Sequence, residues 1–266
     1  MIIAANWKMN PLPSAAAALF KNYCGDQRIT QSQSKTICFV PFCYFALAAQ
    51  SFSSCAVEWG AQNSFPEPSG AYTGELSAEM ISGFGGTWVL AGHSERRALC
   101  GETDAFIAQK LVAALKAGLK VILCVGEEQQ QRQTDYQNAH VRDQLLAGLA
   151  AFCREPDQWQ RQYLPHIVIA YEPVWAIGTG QVAEINQIDD MHGHIQSILN
   201  EQFSKMDTTQ MPPVLYGGSV KEDNAESILC LDNVGGALVG GASLSADSFA
   251  AIVSCADKVI CSLKGH

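Results

Sequence analysis

Eight short apolar runs recur along the whole of this 266-residue chain. Ile2 to Asn6, Thr36 to Val40, Val57 to Ala61, Trp88 to Ala91, Val121 to Val125, Ile167 to Tyr171, Val214 to Tyr216 and Ala237 to Val239 are short and almost continuously apolar. They read as strands buried on both faces. Stretches with helical spacing lie between them. The clearest starts at a Thr103-Asp104 cap, sets Ile107, Leu111 and Leu115 on one face and stops at Gly118. Others are Ser14 to Cys24, Tyr44 to Ser51, Asp135 to Phe152, Asn186 to Phe203, Asp223 to Leu231 and Ser245 to Ala256, with a short one at Ala78 to Ser82. Strand and helix in strict alternation mean a parallel sheet. Eight such units in about 250 residues match a closed (β/α)8 barrel, whereas a doubly wound sheet has fewer parallel strands and a Gly-rich first crossover. The first run here leads into Asn6-Trp7-Lys8, with no GxGxxG. Glu127 to Gln133 and Arg154 to Gln162 are too short to be linkers and read as surface turns or helix ends. The expectation is an α/β chain forming one closed barrel domain over residues 1–266.

Composition removes several alternatives. With 48% apolar and 16% charged residues and a mean hydropathy of +0.03, the chain has enough apolar surface to fold around a large core. Lys and Arg number 17 against 26 Asp and Glu, a net charge of −9. Residues 1–133 carry 10 of each sign, so the whole excess lies in the second half. Nucleic acid is not an expected partner, because such a groove needs clustered basic residues. Thr36 to Val57 is uncharged for 22 residues, but Pro41, Gln50 and three serines break it, so it reads as a strand and a helix and not as a membrane span. Ten cysteines without a CxxC pair, and a start with no secretory leader, read as reduced cytoplasmic thiols, most of them packing as small hydrophobes. His192 and His194 point to different sides of a helix and read as core or solvated histidines. No metal is expected.

In barrels of this kind, chemistry collects at the carboxyl ends of the strands. Those ends hold Asn6-Trp7-Lys8, Gly92-His93-Ser94-Glu95-Arg96-Arg97, Cys124-Val125-Gly126-Glu127 and Tyr171-Glu172-Pro173-Val174-Trp175. Lys8 alone reads as an ion-paired lysine and His93 alone equally as a core histidine. Glu172, directly after Ile167-Val168-Ile169-Ala170, must leave the core or be used there. Ala176-Ile177-Gly178-Thr179-Gly180 reads as a lid tip between stiffer hinges, or as a glycine turn. Tyr216-Gly217-Gly218-Ser219 and Gly240-Gly241-Ala242-Ser243 are adjacent Gly-rich ends, where barrels bind phosphate through backbone N–H groups.

Taken together, Asn6-Trp7-Lys8-Met9-Asn10, Gly92 to Arg97, Ala170 to Gly180, Tyr216 to Ser219 and Val239 to Ser243 resemble the triosephosphate isomerase family over essentially the whole chain. That family is itself a reference case for the TIM barrel, for paired acid and base groups and for lid closure, so those roles come from the resemblance. It implies cofactor-free interconversion of dihydroxyacetone phosphate and D-glyceraldehyde 3-phosphate, in glycolysis and gluconeogenesis. Glu172 would be the base, His93 a neutral electrophile and Lys8 a fixed cation oriented by Glu95. Asn6 would position the oxygen, and Gly178, Ser219, Gly240 and Gly241 would hold phosphate. The resemblance also implies lid latches at Trp175, Glu127 and Tyr216. It further implies a homodimer in which the connection Asn63 to Ala78, long for a compact domain, inserts Thr73 beside the partner subunit's site.

Three positions depart from the family pattern. Gln181 stands where many relatives carry Lys, and Gln196 and Gly235 where many carry an Arg and an Asp. The expectation is that an ion pair behind the phosphate site is dispensable here, with Gln196 exposed and Gly235 in apolar surroundings. Two rival readings are an aldolase using Lys8 as a Schiff-base amine and a non-enzymatic interaction protein on an inherited barrel.

Overall fold

A computed structural model describes residues 1–178, 181–206 and 210–264, so Thr179 and Gly180 of the predicted lid lie outside the described residues. Eight parallel strands close on themselves in sequence order: β1 (Ile2–Asn6), β2 (Lys35–Val40), β3 (Glu58–Ala61), β4 (Trp88–Ala91), β5 (Lys120–Val125), β6 (Ile167–Tyr171), β7 (Val214–Tyr216) and β8 (Gly236–Val239). Closure is made by Ile2 to Ala5 of β1 pairing with Gly236 to Val239 of β8. Every predicted strand is present, with ends moved by at most one residue.

Alternation along each strand divides the apolar residues into two cores. Ala4, Ile37, Phe39, Trp88, Leu90, Ile122, Cys124, Val168, Ala170, Leu215 and Leu238 point inward and fill the barrel. Their neighbours, such as Ile3, Val40, Val89, Leu123 and Ile169, point outward under the helices. The barrel is therefore a packed plug, and a ligand can enter only at its mouth.

Helix Asp104–Lys116 follows the sequence closely. The Thr103 hydroxyl accepts from Phe106 N at 3.3 Å, Ile107, Leu111 and Leu115 are buried, and Gly118 beyond it has φ +82°. The predicted helix over Asp135 to Phe152 is Gln137–Leu149 followed by a 3-10 turn at Phe152–Arg154, and the Gln-rich run before it holds a separate short helix, Gln129–Gln133. Asp135, at φ +55°, turns the chain between the two helices. The polar stretch Arg154 to Gln162 also holds a helix, Asp157–Tyr163.

All ten cysteines are free, but only Cys38, Cys124 and Cys255 are buried. Cys43, Cys100, Cys230 and Cys261 are exposed, while Cys24, Cys55 and Cys153 are half-buried against the outer core, so six of the ten pack as small hydrophobes, as expected of most. No helix among the described residues is long and apolar enough to cross a membrane.

Candidate active site

The alternation that fills the barrel also builds its mouth. Continuing each inward register by two residues leads from Ala4 to Asn6, from Ala170 to Glu172, from Leu215 to Gly217 and from Leu238 to Gly240. A cavity of about 810 Å³ opens there, and Asn6, Lys8, His93, Glu172, Gly178, Ser219, Gly240 and Gly241 all line it. Glu172 stands between glycines that end the neighbouring strands. A Cβ on Gly126 would collide with the Glu172 carbonyl, and one on Gly217 would come within 3.0 Å of Glu172 Cγ. Those glycines leave room for a carboxylate at a level where the barrel is otherwise apolar.

His93 caps helix Ser94–Cys100, and its Nδ1 accepts from Glu95 N at 3.3 Å. With Nδ1 turned to that amide, Nε2 is the ring nitrogen that faces the cavity. Nε2 lies 3.0 Å from Glu172 Oε1, while Ser94 N donates to Glu172 Oε2 at 2.8 Å. Burial opposes ionisation of Glu172, but His93 and the Ser94 amide outweigh it and hold the carboxyl below its usual range. In the same pair, burial opposes charge on His93 and Glu172 favours it, with a net upward shift.

Lys8 faces this pair from β1. Its ammonium contacts Glu95 Oε1 at 2.6 Å, and a Cβ on Gly240 would stand 3.4 Å from Lys8 Cε. Lys8 occupies the left-handed region at φ +52°. Its backbone is clamped there: Lys8 N donates to Asn6 Oδ1 at 3.0 Å, and Gln62 Nε2 donates to Lys8 O at 2.8 Å, with Phe39 O at 3.2 Å and Asn6 Oδ1 at 3.3 Å. With Oδ1 occupied, the amide nitrogen of Asn6 is the end available to a ligand.

The Gly-rich ends after β7 and β8 form the opposite wall. Gly241 opens a single 3-10 turn, Gly241–Leu244, so its N–H has no partner within that turn. Ser243 Oγ donates to Gly240 O at 2.6 Å, and Tyr23 OH donates to Ser243 O at 2.7 Å from beneath. Asn224 Nδ2 fixes Ser219 O at 3.0 Å. Lys221, on the same wall, is a cation that the strand-end reading passed over.

Two of the three predicted latch residues meet. Glu127, fully buried, accepts from Trp175 Nε1 at 2.9 Å, Tyr171 OH at 3.0 Å and Arg132 Nη2 at 2.8 Å. The Tyr216 hydroxyl is buried without a well-formed hydrogen bond, facing the Ala183 backbone, and burial pushes it up to about 12. Among the described residues no cluster of three or more His, Cys, Asp or Glu could hold a metal.

Comparison with known proteins bears on the whole arrangement. The family model for triosephosphate isomerase matches residues 1–256. The chain belongs to the triosephosphate isomerase family. It is 42% identical to the triosephosphate isomerase of Lawsonia intracellularis over 253 residues, covering 95% of this chain and 97% of that one. The enzyme of Oleidesulfovibrio alaskensis is 42% identical over 255 residues, 95% and 98% of the two chains. That of Rhodopirellula baltica is 40% identical over 256 residues, 96% and 97%.

The departures from the family pattern have physical counterparts. Gln196 is half-buried, against expectation, and donates to Asn233 O at 3.0 Å, a carbonyl that His192 Nδ1 also meets at 3.2 Å. His192 is fully buried between Tyr171 and Tyr216, and burial lowers it to about 4, while Asn233 Nδ2 donates to Asp189 Oδ1 at 2.8 Å, so Gln196 and His192 join a hydrogen-bonded layer that includes one carboxylate. A side chain at Gly235 would press within 2.9 Å of Pro213 Cβ and 3.2 Å of Val214 O. The surroundings at Gly235 thus leave no room for an Asp unless the backbone shifts.

Proposed function

We infer that this chain interconverts dihydroxyacetone phosphate and D-glyceraldehyde 3-phosphate by proton transfer through an enediolate, as an isomerase of glycolysis and gluconeogenesis. The observation that carries the residue roles is the buried Glu172 carboxylate facing His93 Nε2 at 3.0 Å across the cavity from Lys8. Glu172 takes the proton on the carbon next to the carbonyl and returns it to the neighbouring carbon. His93 donates from Nε2 to the oxygen on which charge develops, Lys8 supplies fixed positive charge, and Asn6 orients the substrate. Substrate entry separates Glu172 from His93 and the Ser94 amide. The carboxylate then loses the contacts that depress its pKa while its burial remains, so it becomes a stronger base where it is used.

The phosphate is held by backbone N–H groups of Gly178, Ser219, Gly240 and Gly241, with Lys8 alongside. This wall suits a half of the chain that carries 16 acidic and 7 basic residues, since backbone donors need no side-chain charge. The strap from Val174 over Gly178 closes on the ligand, which limits loss of phosphate from the enediolate to water. No electrons leave the substrate, so the chemistry consumes no redox cofactor.

Met9 and Phe42 are exposed beside a second cavity of about 240 Å³ that also reaches Glu95 and His93. These features support a two-fold homodimer in which each Thr73 loop fills the partner's second cavity. The thiol-rich composition supports a cytoplasmic location. The activity is tested by coupling glyceraldehyde 3-phosphate conversion to reduction of dihydroxyacetone phosphate. Glu172→Gln and Lys8→Ala should each slow the reaction about a hundredfold or more, and an unaffected Glu172→Gln would overturn the assignment. Sedimentation should give twice the chain mass, and a monomer at micromolar concentration would overturn the dimer.

A further inference from the structure

We propose that Cys24 and Cys55 form a redox-reactive dithiol, oxidised by hydroperoxides to a reversible disulfide that staples helix Pro13–Gly25 to the chain entering β3. Their sulfurs stand 3.1 Å apart although 31 residues separate them in sequence, so tertiary packing brings them together. That gap is about 1 Å longer than a bonded S–S pair. No other two of the ten sulfurs make such a contact among the described residues. Both residues are half-buried, which admits a small peroxide and screens bulkier reagents.

The two thiols are not equivalent. Cys24 Sγ also points at Ser51 O, 3.2 Å away, where its proton has an acceptor. Burial and the neighbouring Cys55 push Cys24 up to about 12, which disfavours its thiolate at neutral pH. Cys24 Sγ is engaged by Ser51 O and Cys55 Sγ is not, so Cys55 is the attacking sulfur. Its thiolate displaces one oxygen of the hydroperoxide: the S–O bond forms, the O–O bond breaks, and water or an alcohol leaves. Cys24 then attacks the sulfenic sulfur, the S–S bond forms, and the S–O bond breaks with release of water. Two thiols lose two electrons and the peroxide gains them, and an added dithiol reverses the product by exchange.

The staple falls on a helix that backs the site without entering it. Tyr23, next to Cys24, stacks on Phe249, packs against Trp7 and ties Ser243 O beneath the Gly240 turn. Neither cysteine lines the main cavity. Oxidation should stiffen this support and leave the isomerase reaction intact.

The test exposes the folded full chain to micromolar hydrogen peroxide, alkylates the remaining thiols and maps peptides without reduction. The expected product is a Cys24–Cys55 linked pair, lighter by about 2 Da than the two free-thiol peptides together and lost on adding dithiothreitol. Cys24→Ser should strand Cys55 as a sulfenic acid that a 1,3-dione traps, and Cys55→Ser should give no link. The thermal midpoint should rise by several degrees on oxidation in the wild type alone, with kcat/KM changed less than about twofold. Oxidation of exposed Cys43, Cys100, Cys230 or Cys261 with no Cys24–Cys55 link, or a link formed only after denaturation, would overturn the proposal. Failure to trap Cys55 in Cys24→Ser would overturn the order of attack.

Discussion

Replacing Gln62 with Ala separates the geometry of the site from the stability of the fold. Gln62 Nε2 is the shared donor to Lys8 O, Phe39 O and Asn6 Oδ1, at 2.8 to 3.3 Å, and it holds Lys8 at φ +52°. A left-handed residue with a side chain costs about 1–2 kcal/mol, which is released when Lys8 relaxes. Loss of the donor costs a similar amount, about 0.5–1.5 kcal/mol per hydrogen bond with one strong bond and two longer ones. The two nearly cancel, so Gln62→Ala should unfold within about 2 kcal/mol of the wild type. Activity has no such compensation. A shift of Lys8 by about 1 Å is enough to lower kcat/KM by about a hundredfold. Urea unfolding and coupled isomerase kinetics on the same preparation read both quantities. Lys8→Ala/Gln62→Ala should then be no worse than Lys8→Ala alone, because both changes act through one ammonium. A Gln62→Ala enzyme within twofold of the wild type, or additive losses in the double variant, would refute the clamp.

Other outcomes follow from the same structure. Lys110, 2% exposed, contacts Glu102 Oε1 at 2.5 Å and Asn63 Oδ1 at 2.7 Å, so Lys110→Met should cost about 3 kcal/mol in urea unfolding. Arg96 Nε, 2.5 Å from the same Glu102 oxygen, keeps the carboxylate paired, so adding Glu102→Gln should recover little. Trp175→Phe removes one of the donors to Glu127 and should lower kcat a few-fold while costing about 1 kcal/mol of stability, read by steady-state kinetics and urea unfolding. Because the folded protein holds Glu172 below its usual range, its ionised form contributes stability above the unfolded carboxyl value and loses it as pH falls through the folded one. Wild type should therefore lose stability relative to Glu172→Gln below about pH 4, and a gain there would reverse the sign.

The strands were legible because a barrel strand is apolar on both faces, and a run such as Val121 to Val125 has no other soluble use. Glu172 was legible as the next inward step beyond Ala170, where a carboxylate has no structural excuse. Gln62 left no such mark, since its role depends on carbonyls of Lys8 and Phe39 that come together only when β1 and β2 pair. Gln196 was misjudged for a related reason: its acceptor is the Asn233 backbone, and backbone positions carry no letter. The short helix Gln129–Gln133 read only as a surface turn or helix end because none of its residues is buried. Which four cysteines are exposed was not legible, because an exposed cysteine and a buried one read alike without a periodic context.

Isomerisation of dihydroxyacetone phosphate in deuterium oxide tests the central claim most directly. A carboxylate that carries the proton through an enediolate exchanges with solvent before returning it. A share of the glyceraldehyde 3-phosphate formed by the wild type should therefore carry deuterium on the carbon that receives the proton, and Glu172→Gln should abolish both label and turnover together. Turnover and deuterium uptake that persist at the wild-type rate in Glu172→Gln would contradict proton transfer by Glu172.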